Sequence, residues 1–536
     1  MQIVESVRRG DTVSQKIVRY VGIALDEDEL AQLKMLAESI KTKLEADGQQ
    51  ALFGPEELAK TKQKPKHYSE EDYKVNVKNL KEESRTVSGI HDIYGELFDE
   101  LGYRGVFKNP ARQTSCVNTF RDIVLARIAN PRSKRASVDM LEEDFGVKID
   151  LNKVYRMMDG LTEESIARVN EITYKNTRGL FNEKIDVIFF DATTIYFESF
   201  EEDDLKGFGY SKDLKFNQAQ VLLSLMVTKD GLPIGYKLFS GSTYEGHTLL
   251  PILKEVKTKY NLDKVIFVAD RGMFNEDNLS ELEDNGFEYI VGARLKNMND
   301  AIKGKIVSQS NYRVIKEGFK IAQFDVESGR RLVVSYKESR ARKDAHDRLT
   351  AIEKLKKKLG KSKNQKDYLS NYGYKKYLKI TGTSSIELNA EKIESDSTWD
   401  GLHGVITNAQ VVSDEEILAQ YNNLWNVEEA FRITKHDLKA RPVFHWVPER
   451  IRAHFAICFT AYALVKHMEY RIRLQYIKLS PEHIRQLLIH VQTSILFDAK
   501  KKIRYGLPSR ISQEAKKIYQ VMRVNRDSTP YIIAKL

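Results

Sequence analysis

Apolar and polar positions in the middle of the chain follow two different periods, which predict strands and helices in turn. Short runs of apolar, β-branched and aromatic residues predict strands at 186–191, 221–228 and 234–239. The sequence Lys229-Asp230-Gly231 between the last two runs is typical of a hairpin turn. After this hairpin the pattern predicts a helix at 246–260, a strand at 265–270, a helix at 276–285 and a strand at 288–292.

The predicted order is three strands, a helix, a strand, a helix and a strand. This is the order of the ribonuclease H-like fold, in which a mixed α/β sheet forms the core. A strand at 404–407 and a long helix at 414–437 follow an insertion, whose own hairpin is predicted around Ser328-Gly329-Arg330. The sequence therefore predicts an α/β core with an insertion between its two parts.

The flanks of this core are predicted to be mostly helical. Residues 1–25 alternate around Gly10-Asp11 and predict a hairpin, and a helix is expected at 26–44. The polar residues 45–85 are expected to form a linker or a loosely packed region. Further helices are predicted across 92–180 and at 447–475, 480–498 and 511–523.

Composition excludes several classes of protein. The chain has 536 residues, 41% of them hydrophobic, which is enough for more than one core. No apolar run reaches the roughly 18 residues that a membrane helix needs. Cys116 and Cys458 cannot form a disulfide framework or a cysteine zinc site, and residues 1–13 lack the apolar core of a signal peptide. We therefore expect a cytosolic protein without membrane contact.

Positive charge is concentrated in one segment. The whole chain has 86 Lys and Arg against 76 Asp and Glu, whereas residues 296–379 alone have 23 against 9. Tyrosines and phenylalanines are interleaved with these cations, and such a mixture suits a nucleic acid, because cations neutralise phosphates and rings stack on bases. A solvated helix face, for example at 353–358, is the alternative. The basic turn at 132–135 is likewise typical of DNA-binding modules, although many helical bundles share this composition.

Three carboxylates are placed where they could converge. Asp191 and Asp270 each end a predicted apolar strand, the position at which open α/β sheets bind ligands. On the predicted helix Tyr421, Glu428 and Lys435 follow steps of three and four residues, so they share one face. Three converging carboxylates can hold two Mg²⁺ or Mn²⁺ ions about 3.5–4 Å apart, the arrangement used in phosphodiester chemistry.

Each of these residues also has a structural alternative. An Asp that follows a strand commonly caps a turn or a helix. Glu428 with Arg432 four residues later is a common surface ion pair, and Glu429 competes with Glu428 as the third carboxylate. The joint pattern is less common by chance than any of its parts.

Several motifs resemble the DDE transposases of bacterial insertion sequences. They are Asp191-Ala192-Thr193-Thr194, the sequence VADRGM at 268–273 and the helix at 421–435, with weaker likeness at 207–212 and 231–235. The resemblance is to the branch with a β-rich insertion before the catalytic Glu and the signature Y-x2-R-x3-E-x6-K. This signature is present here as Tyr421, Leu424, Glu428 and Lys435, so Leu424 replaces the Arg. Arg432 is a candidate for the phosphate contact that this Arg usually makes.

The resemblance implies that Asp191, Asp270 and Glu428 are the catalytic and metal-binding residues. It implies two Mg²⁺ ions, for which Mn²⁺ can substitute. The enzyme would bind terminal inverted repeats, hydrolyse the element ends to expose a 3′-hydroxyl and join it to target DNA, as a homodimer that holds both ends. The expected DNA contacts are Tyr421, Lys435, Arg432, Arg271, Lys212 and Arg294, and the candidates for base stacking are Trp399 and Trp425.

The resulting division of the chain has six segments. They are an N-terminal hairpin, helix and linker (1–90), a helical candidate for DNA-end binding (91–184), the first part of the catalytic core (185–293), a basic β-rich insertion (294–403), the second part of the core (404–475) and a C-terminal helical candidate for dimerisation (476–536). Two alternatives stay open, a metal-dependent nuclease that does not transfer strands and an inactive descendant that only binds DNA. The expected location is the bacterial cytoplasm, at the nucleoid during activity.

Overall fold

The computed structural model describes residues 2–9, 12–21, 34, 37, 68–181, 185–197, 201–209, 218–249, 251–252, 265–270, 272, 276–326, 329–359, 376–381, 385–475 and 477–535. The chain divides into two compact units. The first unit consists of Met1–Leu262 with Asn426–Leu536, and the second consists of Asp263–Trp425. Both units combine strands with helices, as predicted for a mixed α/β protein. Among the described residues, no helix combines the length and the apolar character that crossing a membrane requires.

The chain begins with the predicted hairpin, formed by the antiparallel strands β1 (Gln2–Arg9) and β2 (Thr12–Tyr20). Of the helix predicted at 26–44, only residues 34 and 37 lie in the described part of the chain, and both are helical. The expected linker contains a short helix, α1 (Glu70–Tyr73), and a strand, β3 (Leu80–Val87). The linker prediction is therefore wrong for its last residues, because β3 is a mostly exposed strand whose charged side chains suit a sheet edge.

Residues 92–180 are mostly helical, as predicted. The helices are α2 (Glu96–Glu100), α3 (Thr114–Ala129), α4 (Lys134–Phe145), α5 (Leu151–Asp159) and α6 (Glu163–Leu180). Side chains of Ser133, Asp150 and Thr162 accept hydrogen bonds from backbone N–H groups in the first turns of α4, α5 and α6. Helix α4 ends at Gly146, whose φ of 67° is readily adopted only by glycine.

Three antiparallel strands follow in the first unit. They are β4 (Val187–Tyr196), β5 (Gln220–Thr228) and β6 (Pro233–Ser240), with β5 in the middle and buried along its whole length. The turn between β5 and β6 contains Gly231 at φ 72°, which explains the predicted hairpin. All three strands were predicted, because long runs of β-branched and aromatic residues mark strands that are covered on both faces.

The second unit begins with β7 (Ile266–Ala269), α7 (Glu276–Asp284) and β8 (Glu288–Gly292), and its two strands are parallel. The elements that follow are α8 (Asp300–Val307), β9 (Arg313–Lys316), β10 (Phe319–Val326), β11 (Arg330–Lys337), α9 (Glu338–Leu359), β12 (Leu378–Thr381), β13 (Ser385–Leu388), α10 (Ala390–Ser397), β14 (Leu402–Thr407) and α11 (Asp414–Asn422). Strands lie in the order β7-β8-β14-β11-β10-β9, with β12 and β13 as a separate pair. The expected β-rich insertion thus also contains a helix of 22 residues.

The chain then returns to the first unit. Its last elements are α12 (Trp425–Arg432), α13 (Pro448–Arg473), α14 (Pro481–Ile489), β15 (Gln492–Asp498), β16 (Ile503–Pro508), α15 (Gln513–Met522) and β17 (Tyr531–Lys535). Helix α13 is buried along most of its length. The strands form a sheet in the order β17-β16-β15-β3. The C-terminal region is therefore not helical throughout, and the helix predicted at 480–498 ends at Ile489, because β15 pairs with strands on both sides.

Candidate active site

Asp191 lies within β4, where it is half-buried. The backbone N–H of Ala192 donates a hydrogen bond of 2.8 Å to its Oδ1 atom. The prediction that Asp191 ends a strand is wrong, because β4 continues in register with β5 as far as Tyr196. The residues after Asp191 are small, β-branched or aromatic, so they extend the strand as readily as the apolar run before it.

Lys435 reaches the same face of β4 as Asp191. Its Nζ atom donates a hydrogen bond to the hydroxyl of Thr193. Side chains two residues apart on a strand point to the same side, so Thr193 and Asp191 share a face roughly 6.6 Å apart along the strand. The Lys435 ammonium and the Asp191 carboxylate therefore lie on one face of β4, where a phosphate ester can contact both groups.

Glu428 and its neighbour Glu429 have different surroundings. Glu428 is exposed on α12, and its carboxylate makes no hydrogen bond or ion pair with any residue that the structure describes. The Glu429 carboxylate lies 3.7 Å from the Arg432 guanidinium and 3.9 Å from the buried Lys466 ammonium. Lys466 donates its hydrogen bond to Glu469, at 2.5 Å, so its contact with Glu429 is electrostatic. Glu428 therefore has both carboxylate oxygens available to a ligand, whereas Glu429 lies between two cations.

Contacts with the β5–β6 hairpin hold α12 and α13 in place. The side-chain amide of Asn426 donates a hydrogen bond of 2.8 Å to the Lys229 carbonyl, and the Tyr462 hydroxyl donates one of 2.9 Å to the Gly231 carbonyl. Sequence reasoning missed Asn426 and Tyr462, because their partners lie 197 and 231 residues away along the chain. The only local signal is a polar residue, Asn426, on the buried side of an amphipathic helix.

The helix predicted at 414–437 is interrupted. Asn423 and Leu424 separate α11 from α12, and a wider π turn over Ile433–Asp437 follows α12. Asparagine forms helices poorly because its side chain competes for backbone hydrogen bonds, and Asn422-Asn423 places two of them together. The signature residues therefore do not lie on one continuous helical face.

Arg432, the candidate for the phosphate contact of the missing signature Arg, is paired with carboxylates of the protein itself. Its guanidinium donates hydrogen bonds of 3.1 and 3.3 Å to the two carboxylate oxygens of Asp437 and lies near Glu429. Leu424, at the usual Arg position, is buried. Arg432 is thus committed to carboxylates of its own helix and the turn after it, although it stays half exposed.

Asp270 directly follows β7 in the second unit and is exposed, as the apolar run before it predicts. The Tyr421 hydroxyl donates a hydrogen bond of 3.3 Å to its Oδ1 atom. The Tyr421 ring packs against the ring of His403 on β14, with 5.1 Å between the ring centroids. The second unit therefore brings together the second predicted Asp and the first residue of the signature.

The other predicted DNA contacts and stacking residues differ in how far they are exposed. Arg294 is exposed just after β8. Trp399 is half-buried against the core of the second unit, with the Lys296 ammonium 5.9 Å from its ring centre, whereas Trp425 is 53% exposed. Of the two stacking candidates, only Trp425 has a largely exposed ring. Two predicted DNA contacts lie outside the described residues, Arg271 and Lys212.

Several cations of the insertion (residues 294–403) form ion pairs within the second unit. The buried carboxylate of Asp396 contacts the ammonium groups of Lys296 and Lys376 and accepts a hydrogen bond of 3.0 Å from the Tyr377 hydroxyl. The guanidinium of Arg348 is paired with Asp400 at 2.6 Å. Other internal pairs are Arg330 with Glu276 and Glu283, and Arg331 with Asp414.

A divalent metal fits the chemistry of the predicted carboxylates. Mg²⁺ prefers oxygen ligands, and Asp191, Asp270 and Glu428 offer only carboxylate oxygens. The Glu428 carboxylate, without a partner among the described residues, has both oxygens available. Within the same described residues, no three Asp, Glu, His or Cys side chains are grouped closely enough to hold a metal ion.

Comparison with known proteins places these residues in a family. The sequence profile of the family described as "Transposase DDE domain" matches residues 182–464, more than half of the chain. Among solved structures, the chain is similar to the Mos1 transposase paired-end complex with left transposon end, with 15% identity and a TM-score of 0.15. That match covers 30% of this chain and only 54% of the other, and no curated protein matches. The chain belongs to the DDE transposase family and has its ribonuclease H-like, mixed α/β fold.

Proposed function

We propose that this transposase cleaves the ends of an insertion sequence at terminal inverted repeats and joins the exposed 3′-hydroxyl to target DNA. In this proposal Asp191, Asp270 and Glu428 are the catalytic carboxylates. The observation that carries it is the contrast on α12, where Glu428 has no partner among the described residues while Glu429 is paired with Arg432 and Lys466. The family match includes all three carboxylates.

The three carboxylates would bind two Mg²⁺ ions, for which Mn²⁺ can substitute. Such ions, when bound, lower the pKa of a water or a hydroxyl and stabilise the leaving oxygen of a phosphodiester. The protein contributes the ligands and their orientation. The hydroxyl of Tyr421 keeps the Asp270 carboxylate in one orientation through their hydrogen bond, which supports a fixed ligand geometry.

Lys435 would contact a phosphate beside the cleaved bond. Its ammonium lies at Thr193, on the face of β4 that also carries Asp191. A lysine in this position neutralises charge on the DNA strand and thereby holds the scissile phosphate beside the carboxylate. Because Arg432 is paired with Asp437, we assign it a structural role and give Lys435 the phosphate contact.

DNA and a second copy of the chain are the proposed partners. Joining two element ends to one target requires two sets of catalytic carboxylates, so a homodimer that holds both ends is expected. The helical segment 91–184 and the insertion are the proposed sites for contacts with the terminal repeats. Exposed Arg294, at the start of the insertion, is placed to contribute one of these contacts.

Cleavage of a defined DNA end tests this proposal. The purified protein is incubated with a duplex that carries the inverted repeat flanking its gene, with Mg²⁺, with Mn²⁺ or with EDTA. We expect metal-dependent nicking at the repeat boundary and joined products with a supercoiled plasmid. Asp270→Ala and Glu428→Gln should each lower the rate at least 100-fold, an order-of-magnitude value for an essential catalytic group.

Glu429→Gln is the matched control for Glu428→Gln, because the two residues are adjacent on the same helix. It should retain cleavage within a few-fold of wild type and lose thermal stability instead. Cleavage without joined products would mean that the protein acts as a nuclease with the same fold and does not transfer strands. Full activity of Glu428→Gln with an inactive Glu429→Gln would reverse the assignment of the third carboxylate.

A further inference from the structure

Residues 438–447, which connect the turn after α12 to α13, form an aromatic loop with alternating burial. Phe444 and Trp446 are 61% and 60% exposed, whereas Val443 and His445, the residues that precede them, are buried. Alternate burial is the pattern of an extended segment, so the two rings point to the same, outer side. Large aromatic side chains left in water on a folded surface mark a binding site, because burying them in the core would be more favourable.

The aromatic loop is fixed to the helical core of the first unit. The Arg127 guanidinium donates hydrogen bonds to the carbonyls of Leu438 and Lys439, at 3.4 and 3.2 Å. His454 Nε2 donates one of 3.0 Å to the Ala440 carbonyl, while the buried Lys134 ammonium donates to its Nδ1 at 3.2 Å. These contacts fix residues 438–440, and the buried His445 ring, whose centre lies 5.7 Å from that of His454, anchors the second half of the loop. The exposed rings are therefore presented in a fixed arrangement that costs little ordering on binding.

Cations lie beside one of the exposed rings and within the loop itself. The Lys206 ammonium, which is buried and paired with Asp203 at 3.3 Å, lies 5.7 Å from the centre of the Trp446 ring. The Arg441 guanidinium lies 5.6 Å from the centre of the Tyr196 ring, at the end of β4. Lys439 is exposed in the same loop. Within residues 438–447 there is no Asp or Glu. The loop therefore combines aromatic faces with positive charge and carries no negative charge of its own, which is complementary to a polyanion with π faces.

The spacing of the rings fits nucleic-acid bases. Residues two apart in an extended segment are separated by roughly 6.6 Å. This distance is about twice the 3.4 Å rise per nucleotide of a stacked DNA strand. One base can therefore lie between the rings of Phe444 and Trp446. Tyr196, beside Arg441, is five residues or roughly 17 Å from Asp191 along β4. A strand passing Asp191 would thus reach the loop within a few nucleotides.

We propose that Phe444 and Trp446 form a stacking surface for unpaired bases of the bound DNA, with Lys439 and Arg441 on its phosphates. The choice of DNA as the ligand rests on the proposed function, whereas the surface itself rests on the exposed rings and their fixed backbone. A duplex offers no free base faces along its length, so the surface would prefer single-stranded or locally opened DNA.

Equilibrium binding in EDTA tests the proposal without any cleavage. The probes are a fluorescein-labelled single-stranded 20-mer and a blunt duplex of the same sequence. Phe444→Ala and Trp446→Ala should each weaken single-strand binding about ten-fold, the loss typical of one stacking aromatic. Duplex binding should change less than two-fold. Phe444→Tyr should keep wild-type affinity, and Tyr73→Ala, which removes another exposed aromatic of the first unit, is the matched control.

Several outcomes would overturn the proposal. One is equal single-strand affinity of the wild type and the Phe444→Ala/Trp446→Ala double variant. Another is a smaller sedimentation coefficient of that variant without DNA, because the surface would then join two copies of the chain. A 2-aminopurine base in the 20-mer gives a direct readout on the wild-type protein, and its fluorescence should fall on binding because stacking quenches it; unchanged fluorescence also argues against stacking.

The same data separate this proposal from the catalytic one. If the duplex with the inverted repeat is never cleaved but the alanine variants lose single-strand binding, the stacking proposal is supported and the transposition proposal is contradicted. If cleavage requires Asp270 and Glu428 while the alanine variants bind as wild type does, the stacking surface alone falls.

Discussion

The insertion and the aromatic loop differ in how they use charge and aromatic rings. The insertion contains residues 296–379, the segment that carries the whole positive excess of the chain, yet Lys296, Lys376 and Arg348 are engaged with Asp396 or Asp400. Its Tyr312 and Tyr377 are buried in small hydrophobic cores. The aromatic loop has only a few cations but exposes two large rings on a fixed backbone. Among the described residues, no Tyr, Phe or Trp of the insertion is as exposed as these two rings, which the composition of the chain does not indicate.

The largest expected effect tests whether charge in the insertion is structural. Burial alone would raise the pKa of the Asp396 carboxyl, but the hydrogen bonds and positive charge of Lys376 and Lys296 lower it below its usual range. Asp396→Ala should destabilise the protein by about 1.5–3 kcal/mol, because it removes charged hydrogen bonds while Lys296 and Lys376, 50% and 33% exposed, can still be hydrated. Urea denaturation measures this loss, with Asp300→Ala, at a fully exposed carboxylate paired with Lys303, as the control.

The sign of the pH effect at Asp396 follows from the direction of its pKa shift. A lowered folded-state pKa contributes stability that is present above the unfolded value of about 3.9 and is lost as pH falls below it. The stability gap between wild type and Asp396→Ala should therefore narrow as pH falls below about 4. A gap that does not change with pH would contradict the ion-pair explanation.

A second prediction concerns His445, a buried side chain of the aromatic loop. Burial and then the nearby Lys134, Arg450 and Arg127 lower the pKa of His445 to about 3. The unfolded chain binds a proton near pH 6.5, so the folded state loses stability as pH falls from about 6.5 to 3, by up to about 1.4 kcal/mol per pH unit for this group. Urea midpoints between pH 7 and pH 4.5 should show this slope.

His445→Gln should make the pH dependence shallower, whatever it does to stability at neutral pH. The matched control is His490→Gln, because His490 is exposed and should not change the slope. An unchanged slope in His445→Gln would mean that the acid sensitivity arises elsewhere, for example at His454, whose pKa is also lowered by burial.

The smallest expected effect concerns three exposed lysines of the insertion, Lys354, Lys356 and Lys357 on α9. If they contact phosphates, changing all three to Gln makes the plot of log K for duplex binding against log salt concentration less steep. The slope falls by up to about 0.9 for each phosphate contacted. We expect at most one such contact, hence a change below about 1 in the slope. Anisotropy titrations at several salt concentrations measure it.

A triple Gln variant of Lys148, Lys516 and Lys517 matches the charge change, since these lysines are also exposed but lie in the first unit. A fall in slope close to three for the α9 variant alone would make the insertion a DNA-binding surface after all. The insertion would then bind the phosphates of the DNA, and the aromatic loop would bind its bases.

Local patterns predicted the parts of the fold that are stabilised locally or buried on both faces. The strands β4 to β8, the hairpin at Gly231 and helix α13 follow from runs of apolar residues and turn chemistry. The C-terminal sheet was missed because β3, its edge strand, is polar and pairs with β15 more than 400 residues away. No local pattern marks a pairing at that distance.

The candidate site was predictable in its residue types but less so in its surroundings. The apolar run before Asp270 placed it correctly at a strand end, whereas the strand at Asp191 continues beyond the predicted end. Glu428 and Glu429 are adjacent and chemically equivalent in the sequence. Only the folded chain distinguishes them, because Arg432 and Lys466 lie within 4 Å of the Glu429 carboxylate and no described cation lies as close to that of Glu428.

The sequence by itself determined the family, the α/β class and the three candidate carboxylates, because apolar periodicity and short motifs are properties of neighbouring residues. The tertiary structure alone decided which charges are neutralised and which rings are left in water. Those outcomes depend on partners such as Asp396 for Lys296, or Arg127 for the carbonyl of Lys439, which are 100 and 312 residues away. Burial and electrostatic energy depend on distance in space, and a sequence specifies that distance only through the complete fold.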